Sequence, residues 1–177
     1  MARLGVPRLL ITIAVGVALF AAAVPVVAFG IVPLLVRSTV HEAAPTPLPR
    51  PSNVPVAGAT PGPFAGTTDT IIASGMLRRL SAVHYGSGLV SILDLAGTRY
   101  LRFENVAIAG APNMYVYLSD RGDGRPGRFT DLGALKATDG SFNYPLPDGL
   151  DLAAVRSVVV WCRAFSVTVT FAELAWG

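Results

Sequence analysis

The chain has 177 residues, of which 52% are hydrophobic and 14% charged, and its formal net charge is +3. Residues 1–66 carry four of the fourteen basic residues and one of the eleven acidic residues, so residues 67–177 carry ten of each. A neutral domain has no electrostatic footprint for nucleic acid, and the sequence contains no phosphate-binding glycine loop or dinucleotide fingerprint. We therefore expect no nucleic-acid partner and no nucleotide partner.

The N-terminal region is dominated by an uncharged run. Residues 9–36 form 28 consecutive positions without a charged residue or a histidine, and roughly 20 apolar residues suffice to cross a bilayer. Pro25 and Pro33 lie in the second half of the run and would bend a helix there. The run predicts a transmembrane signal anchor over residues 9–36, preceded by a cytoplasmic N-terminus over residues 1–8.

The orientation follows from the charges beside this run. Arg3 and Arg8 precede it closely, which favours an N-terminus inside the cell and an exported C-terminal part. Arg8, the apolar residues after it and Ala21-Ala22-Ala23 also resemble a cleavable signal peptide. We favour the uncleaved anchor, because cleavage after Ala23 would leave an apolar tail. The predicted location is the cell membrane, single-pass, with the C-terminal domain extracytoplasmic.

A proline-rich segment follows the uncharged run. Seven prolines fall within residues 42–65, and proline both blocks helix formation and removes backbone donors from a sheet. The sequence predicts an extended extracytoplasmic linker over residues 37–66 and a folded domain over residues 67–177. At ~3.1 Å per residue, such a linker would hold the domain tens of ångströms from the bilayer.

The folded part shows short β-rich runs separated by turn signals, a pattern typical of a β-sandwich or barrel. We expect an all-β, antiparallel β-sandwich or barrel-like domain, preceded by one transmembrane helix and the proline-rich linker. The predicted strands cover residues 70–80, 88–95, 98–108, 114–118, 157–162 and 165–174. A short helix is expected over residues 150–155, and residues 132–136 are a second candidate.

Alternation along the last two strands predicts which side chains face the core. The penultimate strand is apolar on both faces as far as Trp161, so it should lie centrally in its sheet. Cys162 shares a face with Val158 and Val160, and Arg163 should point the other way. On the last strand, the predicted inward side chains are Phe165, Val167, Val169 and Phe171.

The order and spacing of several segments resemble the DM-thirteen domain. This small family is often found beside DOMON domains and is proposed to act in electron transfer. His84 and Gly88 fit the family's early His…Gly segment. The other matching segments are residues 100–105, 110–119, 132–136, 140–144 and 158–167. The resemblance covers about residues 70–175 and implies an electron-transfer role.

The resemblance also identifies a candidate residue. The family's near-invariant cysteine corresponds to Cys162, which is thereby implied to be a free thiol or a ligand of a redox prosthetic group such as haem. The chain departs from the family at Ala111-Pro112-Asn113, where Gly-Pro-Asp is usual. The lost carboxylate weakens any role of this turn in charge recognition.

The residues themselves leave several roles open for Cys162. A single cysteine cannot form a disulfide within its own chain, so it is an inert buried thiol, part of an intermolecular disulfide, or a redox or ligand residue. His84 lies in a turn and could add an imidazole to a cofactor site, or it is a structural or exposed histidine. No third ligand is evident nearby, and we predict no metal site.

Other motifs have alternative explanations. Asp120, Asp123 and Asp131 could offer oxygen ligands to Ca²⁺, and Arg121-Gly122-Asp123 is an adhesion tripeptide, but both also fit a solvated turn. Tyrosines could frame a stacking surface for a sugar or an aromatic cofactor, or form cross-strand packing pairs. They are Tyr100, Tyr115, Tyr117 and Tyr144.

Two functions remain open at this point. The first is a membrane-anchored redox accessory or electron-transfer module that works through Cys162 with a redox partner protein. The second is a non-catalytic binding or cell-envelope interaction module in which the cysteine is structural. His84 is the only histidine of the domain, so we expect no Ser-His-Asp triad, and whether the chain is an enzyme stays open.

Overall fold

The computed structural model describes residues 6–25, 37–46 and 70–177. In these residues one α-helix, α1 (Val6–Pro25), precedes ten strands. The strands are β1 (Thr39–His41), β2 (Thr70–Met76), β3 (Gly86–Leu95), β4 (Thr98–Ile108), β5 (Met114–Ser119), β6 (Phe129–Ala134), β7 (Asp139–Pro145), β8 (Ser157–Cys162), β9 (Val167–Glu173) and β10 (Ala175–Trp176).

The helix α1 presents exposed apolar side chains between residues 11 and 20. They are Ile11, Ile13, Val15, Val17, Leu19 and Phe20. In the part of the chain that the structure describes, no helix has both the length and the apolar character needed to cross a membrane. The transmembrane span predicted over residues 9–36 is therefore not confirmed, and residues 26–36 lie outside the described part.

The strands form two sheets that share one apolar core. Sheet A has the order β1-β7-β4-β3-β2-β10, and sheet B has the order β6-β5-β8-β9. Neighbouring strands are antiparallel, except that β1 runs parallel to β7. Core side chains come from both sheets, including Leu101 and Phe103 of β4 and Val158 and Val160 of β8. The predicted antiparallel, sandwich-like β domain is confirmed at this level.

Hydrophobic alternation explains the strands that the sequence predicted well. In β4, Leu101 and Phe103 are fully buried, whereas Tyr100 and Arg102 on the other face are only partly buried. Full burial of such a side chain contributes about 1.5–3 kcal/mol to folding. The strand β8 is buried on both faces and lies between β5 and β9, as predicted.

Of the two predicted helices, the one over residues 132–136 is absent and the one over residues 150–155 is a shorter 3₁₀ helix. Residues 132–136 overlap the end of β6, which pairs with β5 along sheet B. Residues 150–155 contain only a 3₁₀ turn at Leu152–Ala154, whose N-terminal end is capped by Asp151. The side chain of Asp151 accepts a hydrogen bond from the amide of Ala153, at 3.1 Å, which fixes a short turn without a following helix.

A β-bulge changes the faces of the last strand. Val160 pairs with Thr170 and Trp161 pairs with Thr168, so Val169 is an extra residue on β9. Residues beyond a bulge are displaced from simple alternation. Thr170 is consequently buried, and Phe171 packs with Tyr117 and Val159 on the outer face of sheet B. The predicted inward position of Phe171 is wrong for this reason. Phe165 precedes the strand and is exposed.

The strand β1 lies inside the segment assigned to the linker. Its residues pair with Asp139, Gly140 and Ser141 of β7. Gly140 has φ +108°, and a Cβ atom there would lie 2.0 Å from the Val40 carbonyl oxygen, so only glycine allows this close approach. The start of the predicted linker is therefore part of sheet A. The proline-rich residues 47–69 lie outside the described part, and their conformation stays a prediction.

Candidate functional site around Cys162

Cys162 ends β8 inside the core. It is paired with Met114 of β5 and with Val167 of β9. The side chain is 0% exposed and forms no disulfide. Its thiol donates a hydrogen bond to the Pro112 carbonyl oxygen, with a sulfur–oxygen distance of 3.1 Å. The sulfur is therefore enclosed, with a backbone carbonyl as its acceptor.

The turn over residues 109–113 covers this sulfur. Asn113 has φ +57°, a left-handed conformation that asparagine tolerates better than most residues. Its carbonyl accepts a hydrogen bond from the amide of Arg163, at 3.0 Å, and the amide of Ala109 donates to the Tyr85 carbonyl, at 2.9 Å. The turn is thus attached both to the β8–β9 connection and to the β2–β3 connection. It is the layer between the thiol and the surface.

An apolar cavity lies beside the turn. Its volume is about 220 Å³. It is lined by Val83, His84, Gly110, Ala111, Phe165, Val167 and Val169. The turn that covers Cys162 therefore also forms one wall of the cavity, while the thiol itself does not line it. Sequence reasoning missed this cavity, although apolar residues at Val83 and Phe165, in turns, were a signal of it.

His84 belongs to the wall of the cavity and does not complete a site with Cys162. Its Nδ1 atom lies 3.4 Å from the Ser81 hydroxyl oxygen, which also accepts a hydrogen bond from the His84 amide at 2.9 Å. These contacts fix the imidazole within its own turn. In the described ranges, no group of three or more histidine, cysteine or acidic residues is placed to hold a metal ion.

Arg163 points to the other side of β8, as the alternation predicted. Its guanidinium carbon lies 3.4 Å from the centroid of the Tyr115 ring, and Nε donates to the Tyr117 hydroxyl at 2.7 Å. The same guanidinium forms an ion pair with Asp131. Hydrogen bonding to Tyr117 and to Asp131 raises the pKa of Arg163 above its usual value. The cation is thus engaged on the outer face of sheet B, away from the thiol.

The tyrosines do not form one surface. Tyr115 and Tyr117 lie on the outer face of sheet B, where the Tyr117 ring stacks on Phe129 at 4.1 Å. Tyr144 lies in the core against Phe103 and Phe142, and burial raises its pKa to about 12. Packing explains Tyr117 and Tyr144 better than a shared stacking platform does.

The aspartates of the two turn motifs are bound by arginines. Asp120 pairs with Arg128, and Asp123 pairs with Arg121 through two hydrogen bonds. The Arg121 guanidinium lowers the pKa of Asp123 well below its usual range. Since both charges of the adhesion tripeptide bind one another, neither is presented alone to a partner.

A comparison with known families identifies the domain. A family model described as electron transfer DM13 matches residues 80–174, more than half of the chain. The chain belongs to the electron transfer DM13 family. No curated protein and no solved structure matches it. The match runs from just before β3 to the end of β9, so it contains His84 and Cys162, whereas β1 and β2 lie before it.

The residues of this DM13 domain do not fit a haem at Cys162. A thiolate ligand must present its sulfur to an open position, whereas this sulfur is 0% exposed and bonded to Pro112. The adjacent cavity, at about 220 Å³, does not include the sulfur and is smaller than the ~300–1,000 Å³ of usual cofactor sites.

Proposed function

We propose that the chain is a membrane-anchored electron-transfer accessory whose redox group is the Cys162 thiol and whose partner is a protein with a redox-active disulfide. The observation that carries the proposal is the position of Cys162. A free thiol lies at the end of a strand, beneath the single turn of residues 109–113, rather than at the centre of the sandwich. Membership of the electron transfer DM13 family supports the same role.

The proposed step is thiol–disulfide exchange. The Cys162 thiol loses its proton, and its sulfur attacks one sulfur of the partner's disulfide. A mixed disulfide forms between the two proteins, the partner's own S–S bond breaks, and its second sulfur leaves as a thiolate that takes up the proton. Cys162 is oxidised and the partner is reduced. Residues 109–113 must move aside for this reaction, because Pro112 and its neighbours cover the sulfur.

The proposed location is the extracytoplasmic face of the cell membrane. The uncharged run over residues 9–36 supports an anchor, as do the exposed apolar side chains of α1. The basic residues before the run support an N-terminus on the cytoplasmic side. An exported domain also meets the oxidising conditions in which disulfide partners persist.

Native thiol labelling tests the proposal. The full chain in mild detergent would be treated with a small aromatic disulfide across a range of pH, and the mixed disulfide would be measured by intact mass. We expect labelling of Cys162 without denaturant and none in Cys162→Ser. A variant that carries Cys162→Ser together with Val83→Cys gives the rate for an exposed thiol. Labelling of Cys162 only after unfolding, or visible absorbance from a bound cofactor, would contradict the thiol mechanism.

A second function is favoured by one observation. The Cys162 side chain is 0% exposed and packs in the core, as a structural residue would. In this alternative the domain is a non-catalytic binding or cell-envelope module. The labelling experiment separates the two functions, because an inert thiol in the native chain supports the structural role.

A further inference from the structure

The chain enters the sandwich at the end where Cys162 lies. Arg37 directly follows the uncharged run, and Ser38 is already bound to the start of β7. The Ser38 carbonyl accepts hydrogen bonds from the amides of Thr138 and Asp139, at 3.1 and 2.9 Å, and its amide donates to the Thr138 hydroxyl at 2.9 Å. Position 38, two residues past the run, is thus fixed on the domain.

A short path of contacts leads from this entry point to the thiol. Thr138 lies in the connection from β6 to β7, in which the amide of Leu135 donates to the Met114 carbonyl at 2.9 Å. Met114 is the strand partner of Cys162. The path has three paired contacts of ~5 Å each and three steps along the chain, from residue 138 to residue 135, of ~3.5 Å each. Ser38 therefore lies at most about 26 Å from Cys162. We call the residues around this path, with the turns at 77–85, 109–113 and 163–166, the Cys162 end.

The proline-rich segment does not separate the Cys162 end from the uncharged run. Since β1 is bound to β7, residues 47–69 connect β1 to β2 within sheet A. The strands β7, β4 and β3 lie between them, a separation of four strand spacings or about 19 Å. In the chain, the segment therefore comes after β1 and not between β1 and the uncharged run.

The Cys162 end exposes apolar side chains. Val83 is 63% exposed and Phe165 is 57% exposed, and both border the apolar cavity. Leu80, in the same turn as Val83, is exposed as well. Large exposed apolar side chains clustered around an apolar cavity indicate a contact surface rather than isolated surface residues.

Most charges around this surface are paired with carboxylates, whereas Arg79 lies over the Tyr85 ring, 4.8 Å from its centroid. Arg37 pairs with Asp139, and Lys136 pairs with Glu42. Arg163 pairs with Asp131 on the outer face of sheet B. These paired charges offer little attraction to acidic headgroups, so a lipid contact here would depend on apolar insertion and not on surface charge.

We propose that the Cys162 end of the domain lies against the lipid surface of the membrane, with Val83 and Phe165 inserted into the interface. The proposal rests on the membrane anchor proposed above and specifies that the partner of Cys162 acts at that same surface. The occupant is a lipid surface because the uncharged run ends directly before Arg37 and Ser38 is already bound at this end of the domain.

Depth-dependent quenching of tryptophan fluorescence tests the inference. The full chain would be reconstituted in phosphatidylcholine vesicles that contain lipids with a nitroxide near the headgroup end of the acyl chain. The chain has two tryptophans of its own, so the reporters are placed in a background that carries Trp161→Phe and Trp176→Phe. In that background Phe165→Trp and, independently, Val83→Trp place a reporter at the Cys162 end. Phe129→Trp is the matched control, because Phe129 is 47% exposed at the other end of sheet B, opposite Ser119. Phe20→Trp reports on the anchor in vesicles whose nitroxide lies near the methyl end of the acyl chain, because position 20 is near the middle of the predicted span.

The outcomes distinguish the two proposals. We expect severalfold stronger quenching of the reporters at positions 165 and 83 than at 129, with little change when anionic lipid is added. Strong quenching at position 20 with equal, weak quenching at 165, 83 and 129 would overturn the lipid contact and leave the anchor in place. Weak quenching at position 20 would overturn both. A contact that appears only with anionic lipid would overturn apolar insertion.

Discussion

Cys162 combines complete burial with a location one turn below the surface. The faces of β8 could be assigned from the sequence. Alternation places Cys162 on the same face as Val160, and it places Arg163 on the opposite face. The carbonyl that receives its hydrogen bond could not be assigned, because Pro112 comes from a segment 50 residues earlier in the chain. The burial of Cys162 and the turn over residues 109–113 that covers it are both tertiary features. Together they decide how the thiol can react.

Replacing Cys162 by alanine should destabilise the domain. The change removes a fully buried sulfur and leaves the Pro112 carbonyl without its donor, so we expect a loss of about 1–3 kcal/mol in the free energy of unfolding. Urea unfolding of residues 37–177 measures it. Cys162→Val restores most of the volume without the donor and separates packing from hydrogen bonding. An unchanged midpoint for the alanine variant would contradict the description of the site.

The elements differ in how far local sequence determines them. The strand β4, with alternating apolar residues, and the strand β8, a continuous apolar run, were predicted with the bounds that the structure has. The strand β7 was missed because Gly140, Asn143 and Pro145 are turn formers, and their strand conformation depends on pairing with β4. The strand β1 is too short to be recognised by pattern. It exists because distant residues of β7 bind it.

Gly140 should be required for the attachment of β1. Gly140→Ala forces a side chain into a positive-φ position and against the Val40 carbonyl. Gly133→Ala is a matched control, since Gly133 has φ +100° with nothing within 4 Å. We expect the control to lower the free energy of unfolding by about 1–2 kcal/mol through its backbone conformation alone. Gly140→Ala should lower it by more. The Glu42 amide donates to the Ser141 carbonyl of β7 at 2.7 Å, so faster hydrogen exchange at this amide only in Gly140→Ala would confirm release of β1.

Acid should loosen the same strand. Hydrogen bonding to Arg37 lowers the pKa of Asp139 below its ordinary 3.8, and hydrogen bonding to Lys136 lowers the pKa of Glu42 below its ordinary 4.5. A lowered carboxyl pKa stabilises the folded state above the ordinary value, and this contribution disappears as pH falls through the lowered value. We expect extra exchange at the Glu42 amide as the pH falls below these ordinary carboxyl values, after correction for intrinsic rates, while β8 amides stay protected. Uniform loss of protection would contradict a local opening.

For the whole molecule, the family and the sandwich could be predicted, whereas the edge of the domain could not. Turn spacing and alternation are local signals that carry the fold class, and the order of segments carries the family. The prolines after residue 42 suggested a linker, and its predicted start at residue 37 was the first position after the uncharged run. The ion pairs and hydrogen bonds that bring residues 37–43 into sheet A involve partners about a hundred positions later.

A fragment that begins at residue 37 should be more stable than one that begins at residue 66. The shorter fragment loses β1, the Arg37–Asp139 and Glu42–Lys136 pairs, and the hydrogen bond from Asn143 to Glu42. We expect the difference in unfolding free energy to be about 1–3 kcal/mol, because these contacts are partly exposed. Parallel urea titrations measure it. Identical midpoints would show that β1 adds no stability.

The short edge strands of sheet A have a consequence for solubility. The three residues of β1 and the two residues of β10 border the longer strands β7 and β2. An exposed edge of a long strand is a template for pairing with another molecule, and very short edge strands reduce that risk. The N-terminal strand therefore protects β7 from edge-to-edge aggregation, and a chain cut beyond residue 43 becomes prone to intermolecular sheet growth.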